Sequence, residues 1–237
     1  MDANISTRHL SFVETGRGSP SREMVLRLTA RLEVPLRERN TLLVAAGYAP
    51  MYRERRLDDP ALAAAKKTVE LILKSHEPFP ALAIDRHWNL VAANRVVPHL
   101  LEGADPSLLQ APMNVLRLSL HPMGLAPNII NLAQWRAHLF ERLSHQIAAT
   151  ADAVLSALLA EVRDLPASKS EPEENLQGEH MGIAVPLKFR SKAGVLTFIS
   201  TTTIFGSPVD VTLQELALET FFPLDEFTMQ AVQALKL

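Results

Sequence analysis

The chain has 237 residues, of which 47% are hydrophobic, and 24 Lys and Arg stand against 26 Asp and Glu. It contains no cysteine, which excludes disulfides, thiolate zinc sites, iron–sulfur clusters and a cysteine nucleophile. It shows neither an uncharged apolar run of about 18 residues nor an N-terminal apolar signal region, so a cytoplasmic protein with no membrane partner is expected.

The near-neutral net charge hides an asymmetry. Residues 1–56 hold ten Arg against six acidic residues, a net +4, and the remainder is net −6. A basic module joined to an acidic domain suits a DNA reader that carries a separate ligand or partner domain.

In chain order, Ser6 to Glu14 reads as a short helix stopped at Gly16. A loop follows, and a second helix starts behind Ser21 as N-cap. Leu10, Val13, Met24, Val25, Leu28 and Leu32 recur at helical spacing, and Pro35 is expected to break the second helix. Leu36 to Ala46 forms a third helix ended by Gly47. The charged stretch from Arg53 to Pro60 reads as a linker, with the domain boundary near residue 55, so the predicted domains are 1–55 and 56–237.

The front of the first helix is crowded with polar and basic groups. A helix that reads DNA presents its N-terminal side chains to base edges and phosphates in this way. The candidates for DNA contact are Ser6, Thr7, Arg8, Ser11, Arg17, Ser21 and Arg22. The bland alternative is a solvated helix face with an N-cap.

Further on, Lys66 to Lys74 is helical. Ala81–Asp85 and Leu90–Ala93 make a hairpin around Arg86-His87-Trp88-Asn89. Ala93 to Leu101 returns to helix, interrupted near Pro98, and Ile129 to Leu165 reads as one or two long amphipathic helices. Pro166 to Gly178 is polar and expected to be a mobile loop. Strands are predicted over Ile183–Phe189, Val195–Ile204 and Leu213–Phe222, the last chosen on alternation although Thr212-x-x-Glu215 imitates a capping box. Asp225 caps a final helix. The fold class is therefore α+β: a partial all-α module, then a five-stranded antiparallel sheet with helices inserted after the second strand, the order of a PAS domain.

Asn114 and Arg117 lie three apart on a helical face, and an Arg fork beside an amide suits a carboxylate. A helix cap with a structural ion pair is an equal alternative. His121, Trp135 and His138 are candidates to line the same pocket, with Trp135 equally a core residue. Phe198 and Phe205 are candidates for an apolar wall, as are Ile199 and Ile204. His138, Glu141 and His145 share a helix face but lack a metal-binding motif, so neither metal nor cofactor is expected. No nucleophile–base set, glycine-rich phosphate loop or nucleophile elbow appears, so no catalytic residue is assigned.

Several motifs in order carry a family resemblance. They are His9–Arg17 with Pro20–Met24, Pro35–Asn40 with Ala45–Pro50, Asp85–Asn89 with Ala93-Asn94, Asn114 and Arg117 with Leu120-His121-Pro122, Asn131 with Trp135-Arg136, and Thr201–Gly206 with Pro208–Thr212. Together they resemble transcription regulators with an XRE-type helix-turn-helix and an MmyB-like, PAS-like ligand-binding domain. The resemblance implies a bacterial DNA-binding regulator, a likeness to homodimers reading two half-sites, and a sensor pocket for a fatty-acid-like molecule. The family has two helices ahead of the recognition helix where this sequence has only Met1 to Ile5. The expectation is thus an N-terminal truncation from a start placed too late. The alternative is a sensor deficient in DNA binding that forms mixed dimers with full-length relatives.

Overall fold

The computed structural model describes residues 6–166, 185–206, 208 and 210–235. In chain order it forms α1 (Thr7–Glu14), α2 (Arg22–Arg31), α3 (Leu36–Ala45), α4 (Ala63–Ser75), β1 (Ala81–Ile84), β2 (Leu90–Ala93), α5 (Val97–Leu100), α6 (Val115–Leu120), α7 (Leu132–Thr150), α8 (Ala153–Asp164), β3 (Leu187–Ser191), β4 (Gly194–Ile204), α9 (Val211–Gln214), β5 (Ala217–Pro223) and α10 (Glu226–Gln233). These fall into two compact units. One comprises residues 1–65 with 205–215, the other 66–204 with 216–237.

In the first unit, Ser6 and Ser21 cap α1 and α2 by accepting from the backbone N–H groups of His9 and Met24, each at 3.2 Å. Gly16 and Gly47 follow α1 and α3 at φ 68° and 84°, values that side chains with a Cβ seldom adopt. The second helix ends earlier than Pro35: Glu33 turns left-handed at φ 52°, and Pro35 instead precedes α3.

Residues 210–215 are fastened to α3 and the linker. Arg37 forks onto Glu215 at 2.6 and 2.9 Å and also meets Glu54 at 2.8 Å. Arg55 reaches the fully buried Asp210 at 2.9 Å. Asn40 accepts from Met51 and Tyr52 N–H, both at 3.0 Å. By contrast, α1 has no buried residue.

In the second unit the strands form one antiparallel sheet in the order β2-β1-β5-β4-β3, the predicted PAS-like α+β architecture. The long helical stretch divides into α7 and α8, with Ala151 left-handed at φ 51° between them and Asp152 capping α8. The core lies between the sheet and α6, α7 and α8. It gathers Ile84, Leu116, Leu120, Leu139, Leu143, Leu155, Leu158, Val162 and Phe189. On α10, Val232 packs with Val96, Leu196 and Phe198.

Two local expectations differ. The helix near Pro98 is only the four-residue α5, because Pro98 fits a first turn and not a helix interior. The strand expected from Leu213 starts at Ala217. Residues 211–214 form α9 because Asp210, not Thr212, is the cap: its carboxylate accepts from Thr212 N–H at 3.0 Å. Most of the polar loop expected over 166–178, and the start of the strand expected at Ile183, lie outside the described residues.

Candidate ligand-binding cavity

The alternation of strand side chains gives the sheet one face rich in apolar groups. Cross-strand register puts Leu82 of β1, Glu219 of β5 and Thr202 of β4 side by side on it, with Phe198 opposite Leu187 farther along. Across from this face, α7 presents Trp135, Leu139 and Arg142 at i, i+4 and i+7, one stripe of a helix. Leu116 and Ser119 of α6 and Trp88 of the β1–β2 turn complete the enclosure. The resulting cavity has a volume of about 120 Å³, and its lining is apolar apart from Ser119, Arg142 and Glu219.

Trp88 is held in the cavity wall by an unusual backbone. Asp85 accepts from the N–H groups of His87 at 2.8 Å and Asn89 at 2.9 Å, and Trp88 is left-handed at φ 66°. For a non-glycine residue that conformation costs about 1–2 kcal/mol. Its surroundings fix it: Trp88 Nε1 donates to Gln146 at 2.9 Å, and the Arg142 guanidinium lies over the indole at 4.8 Å. Strain of this kind is kept where a side chain must be aimed.

The polar end is the Arg142–Glu219 pair, braced by Thr202, which is exposed and lies outside the lining. Arg142 Nη2 donates to Glu219 Oε1 at 2.5 Å and to Thr202 Oγ1 at 3.0 Å, and the Thr202 hydroxyl donates to the same carboxylate oxygen at 2.8 Å. Glu219 is 5% exposed, so this carboxylate depends on its cationic partner. His138, one turn before Arg142, has its pKa held below the ordinary 6.5 by burial first and by the Arg142 charge second.

The structure brings only part of the expected ligand set to this cavity. Trp135 and Phe198 line it, and Trp135 Nε1 donates to Ser119 at 3.0 Å. The half-buried His138 stacks near the Trp135 ring at 5.6 Å without lining the cavity. Asn114 and Arg117 do not form the expected carboxylate clamp. Asn114 caps α6, accepting from Leu116 and Arg117 N–H at 3.2 Å, and donates to the His87 carbonyl at 2.8 Å. It thereby ties α6 to the turn that aims Trp88. Arg117 forks onto Glu161 of α8 at 2.6 and 2.7 Å, a half-exposed pair outside the cavity. That contact raises the Arg117 pKa and lowers that of Glu161.

His121 closes α6, its Nδ1 accepting from Met123 N–H at 3.1 Å. Phe205 belongs to the other unit, Ile204 is 65% exposed, and Ile199 points to the opposite sheet face from Phe198. The sequence reading missed Trp88, Arg142 and Glu219. The available signals were a tryptophan inside a tight turn and an Arg seven residues after Trp135.

In the first unit, Ser6, Thr7, Arg8, Ser11, Arg17, Ser21 and Arg22 are all exposed. The Ser6 and Ser21 hydroxyls are engaged as caps, and Arg8 lies over Phe12 at 5.5 Å. Among the described residues no three His, Asp or Glu side chains gather in a way that could hold a metal, and no helix is long and apolar enough to cross a membrane.

The family model described as the MmyB-like transcription regulator ligand binding domain matches residues 65–235. No curated protein gives a significant match.

Proposed function

Because the chain belongs to the family with the MmyB-like transcription regulator ligand-binding domain, we propose that it is a bacterial DNA-binding regulator whose PAS-like domain senses a small amphiphile of fatty-acid-like build. The observation that carries the reading is an apolar cavity with one polar end, formed by Arg142 and Glu219. Binding sites for small molecules have this composition: mostly apolar walls with a few orienting polar groups. A cavity of about 120 Å³ is close in size to one that holds benzene, so it suits an apolar segment of about six carbons. At roughly 0.8 kcal/mol per methylene, burial would contribute about 5 kcal/mol before ordering costs.

The DNA-facing part is the exposed front of α1 and the start of α2. Arg8, Arg17 and Arg22 would take phosphates or a guanine edge, and Ser6, Thr7, Ser11 and Ser21 would flank them. Two copies reading two half-sites would be the working form, because half-site recognition normally uses a symmetric dimer. An XRE-type module is the natural reading of α1 to α3, given the basic helix and the Gly16 stop. The alternative is a sensor that acts through mixed dimers without binding DNA itself. It is favoured by α1, which buries no residue and so lacks the support a reading helix needs.

Fluorescence anisotropy with labelled duplex DNA at two salt concentrations separates these readings. The DNA-binding reading expects affinity to fall steeply with salt, and Arg8→Ala to reduce the slope by about one. A chain that shows no salt-dependent DNA binding would support the mixed-dimer reading.

A further inference from the structure

We propose that the cavity selects an uncharged head group that both donates and accepts hydrogen bonds, such as a primary amide or an alcohol, over a free carboxylate. The inference rests on the reading of the cavity as an amphiphile site. Its starting point is charge. A cavity that ended in a lone arginine would attract a carboxylate, but here Arg142 is already matched by Glu219 at 2.5 Å. The polar end is therefore neutral as a pair.

The hydrogen-bond capacity of the pair is lopsided. Arg142 and Thr202 both donate to Oε1 of Glu219, and among the described residues no donor meets Oε2. On Arg142, Nη2 makes both protein bonds, which leaves further N–H donors on the same guanidinium. Both residues line the cavity, so an acceptor and donors with capacity to spare are carried there side by side. A primary amide matches both at once: its carbonyl accepts from Arg142, and its N–H donates to Glu219. An alcohol can do the same with one oxygen.

A carboxylate matches only half of this arrangement. It gains Arg142 but stands beside a carboxylate that is 5% exposed, and like charges in a desolvated site repel strongly. Displacing Glu219 from Arg142 does not help, because Glu219 would then be buried without its cation. An ammonium head has the mirror problem against Arg142. The neighbouring charged groups do not alter the balance. Glu141 is exposed on α7, and the pKa of His138 is held low, which keeps it neutral beside Arg142.

The test is a series with one tail and several heads: hexanamide, hexan-1-ol, hexanoate and hexylammonium. Each is titrated into the full chain at about pH 7.5, where hexanoate is ionised. Fluorescence of Trp88 and Trp135, both in the cavity wall, reports occupancy. Hexanamide and hexanol are expected to bind at least about tenfold more tightly than hexanoate or hexylammonium. In Glu219→Gln, hexanoate should gain at least about tenfold relative to hexanamide, since Arg142 is then unmatched.

Hexanoate binding as tightly as hexanamide to the unaltered chain would overturn the proposal, and this comparison decides it even if the variant does not fold. Saturable binding without head-group preference would leave the amphiphile site standing and remove the selectivity. Binding by none of the four would remove both.

Discussion

Two arginines of the ligand-binding unit show how placement decides chemistry. Arg117 forks onto Glu161 at the surface, where ion pairs contribute about 0–1 kcal/mol. Arg117→Ala should therefore leave ligand titrations unchanged and shift urea unfolding by no more than about 1 kcal/mol. Arg142 neutralises the buried Glu219. Arg142→Met should lower stability by about 3–5 kcal/mol, because a carboxylate is left buried alone. Converting Glu219 to Met as well should restore most of the loss, and urea midpoints of the single and double variants measure both effects.

His138 adds a pH dependence of known sign. Its folded pKa is depressed below 6.5, so below that value the unfolded chain binds more protons than the folded one. Its contribution is absent above about pH 7.5 and becomes a destabilisation as pH falls through 6.5 towards the depressed value. The stability of His138→Gln should fall less over that window. Equal pH profiles for the two proteins would contradict the assignment.

At the scale of elements, α1 and α7 should behave as opposites. Helix α1 buries nothing, whereas α7 buries Leu132, Trp135, Leu139 and Leu143. Amides of α1 should exchange with solvent at rates near those of an unstructured chain, and those of α7 only on opening of the whole unit. Strong protection of α1 would mean that something covers it in solution.

Helix and strand identities were largely legible in the sequence, because periodicity and caps such as Ser21 and Asp225 are local signals. The β5 region was harder. Both of its faces hold buried residues, Leu218 on one and Glu219 on the other, so alternation did not say where the strand began. The cavity was the least legible feature. The residues that carried the resemblance are mainly fasteners: Arg37, Asn40, Asn114 and Asp210 each join segments distant in sequence. The polar end joins α7 and β5, and no spacing along the chain links Arg142 to a glutamate 77 residues away.

For the whole molecule, the strands that carry Thr202 and Glu219 are consecutive, and the chain between them, residues 205–215, belongs to the helical unit. All of this depends on the cavity being a binding site. The chain has only two tryptophans, Trp88 and Trp135, and both line it. Fluorine NMR of protein labelled with 5-fluorotryptophan and titrated with hexan-1-ol therefore looks directly at the claim. The account predicts that both resonances move together and saturate at a single dissociation constant. Resonances that stay fixed, or that drift without saturating, would contradict it.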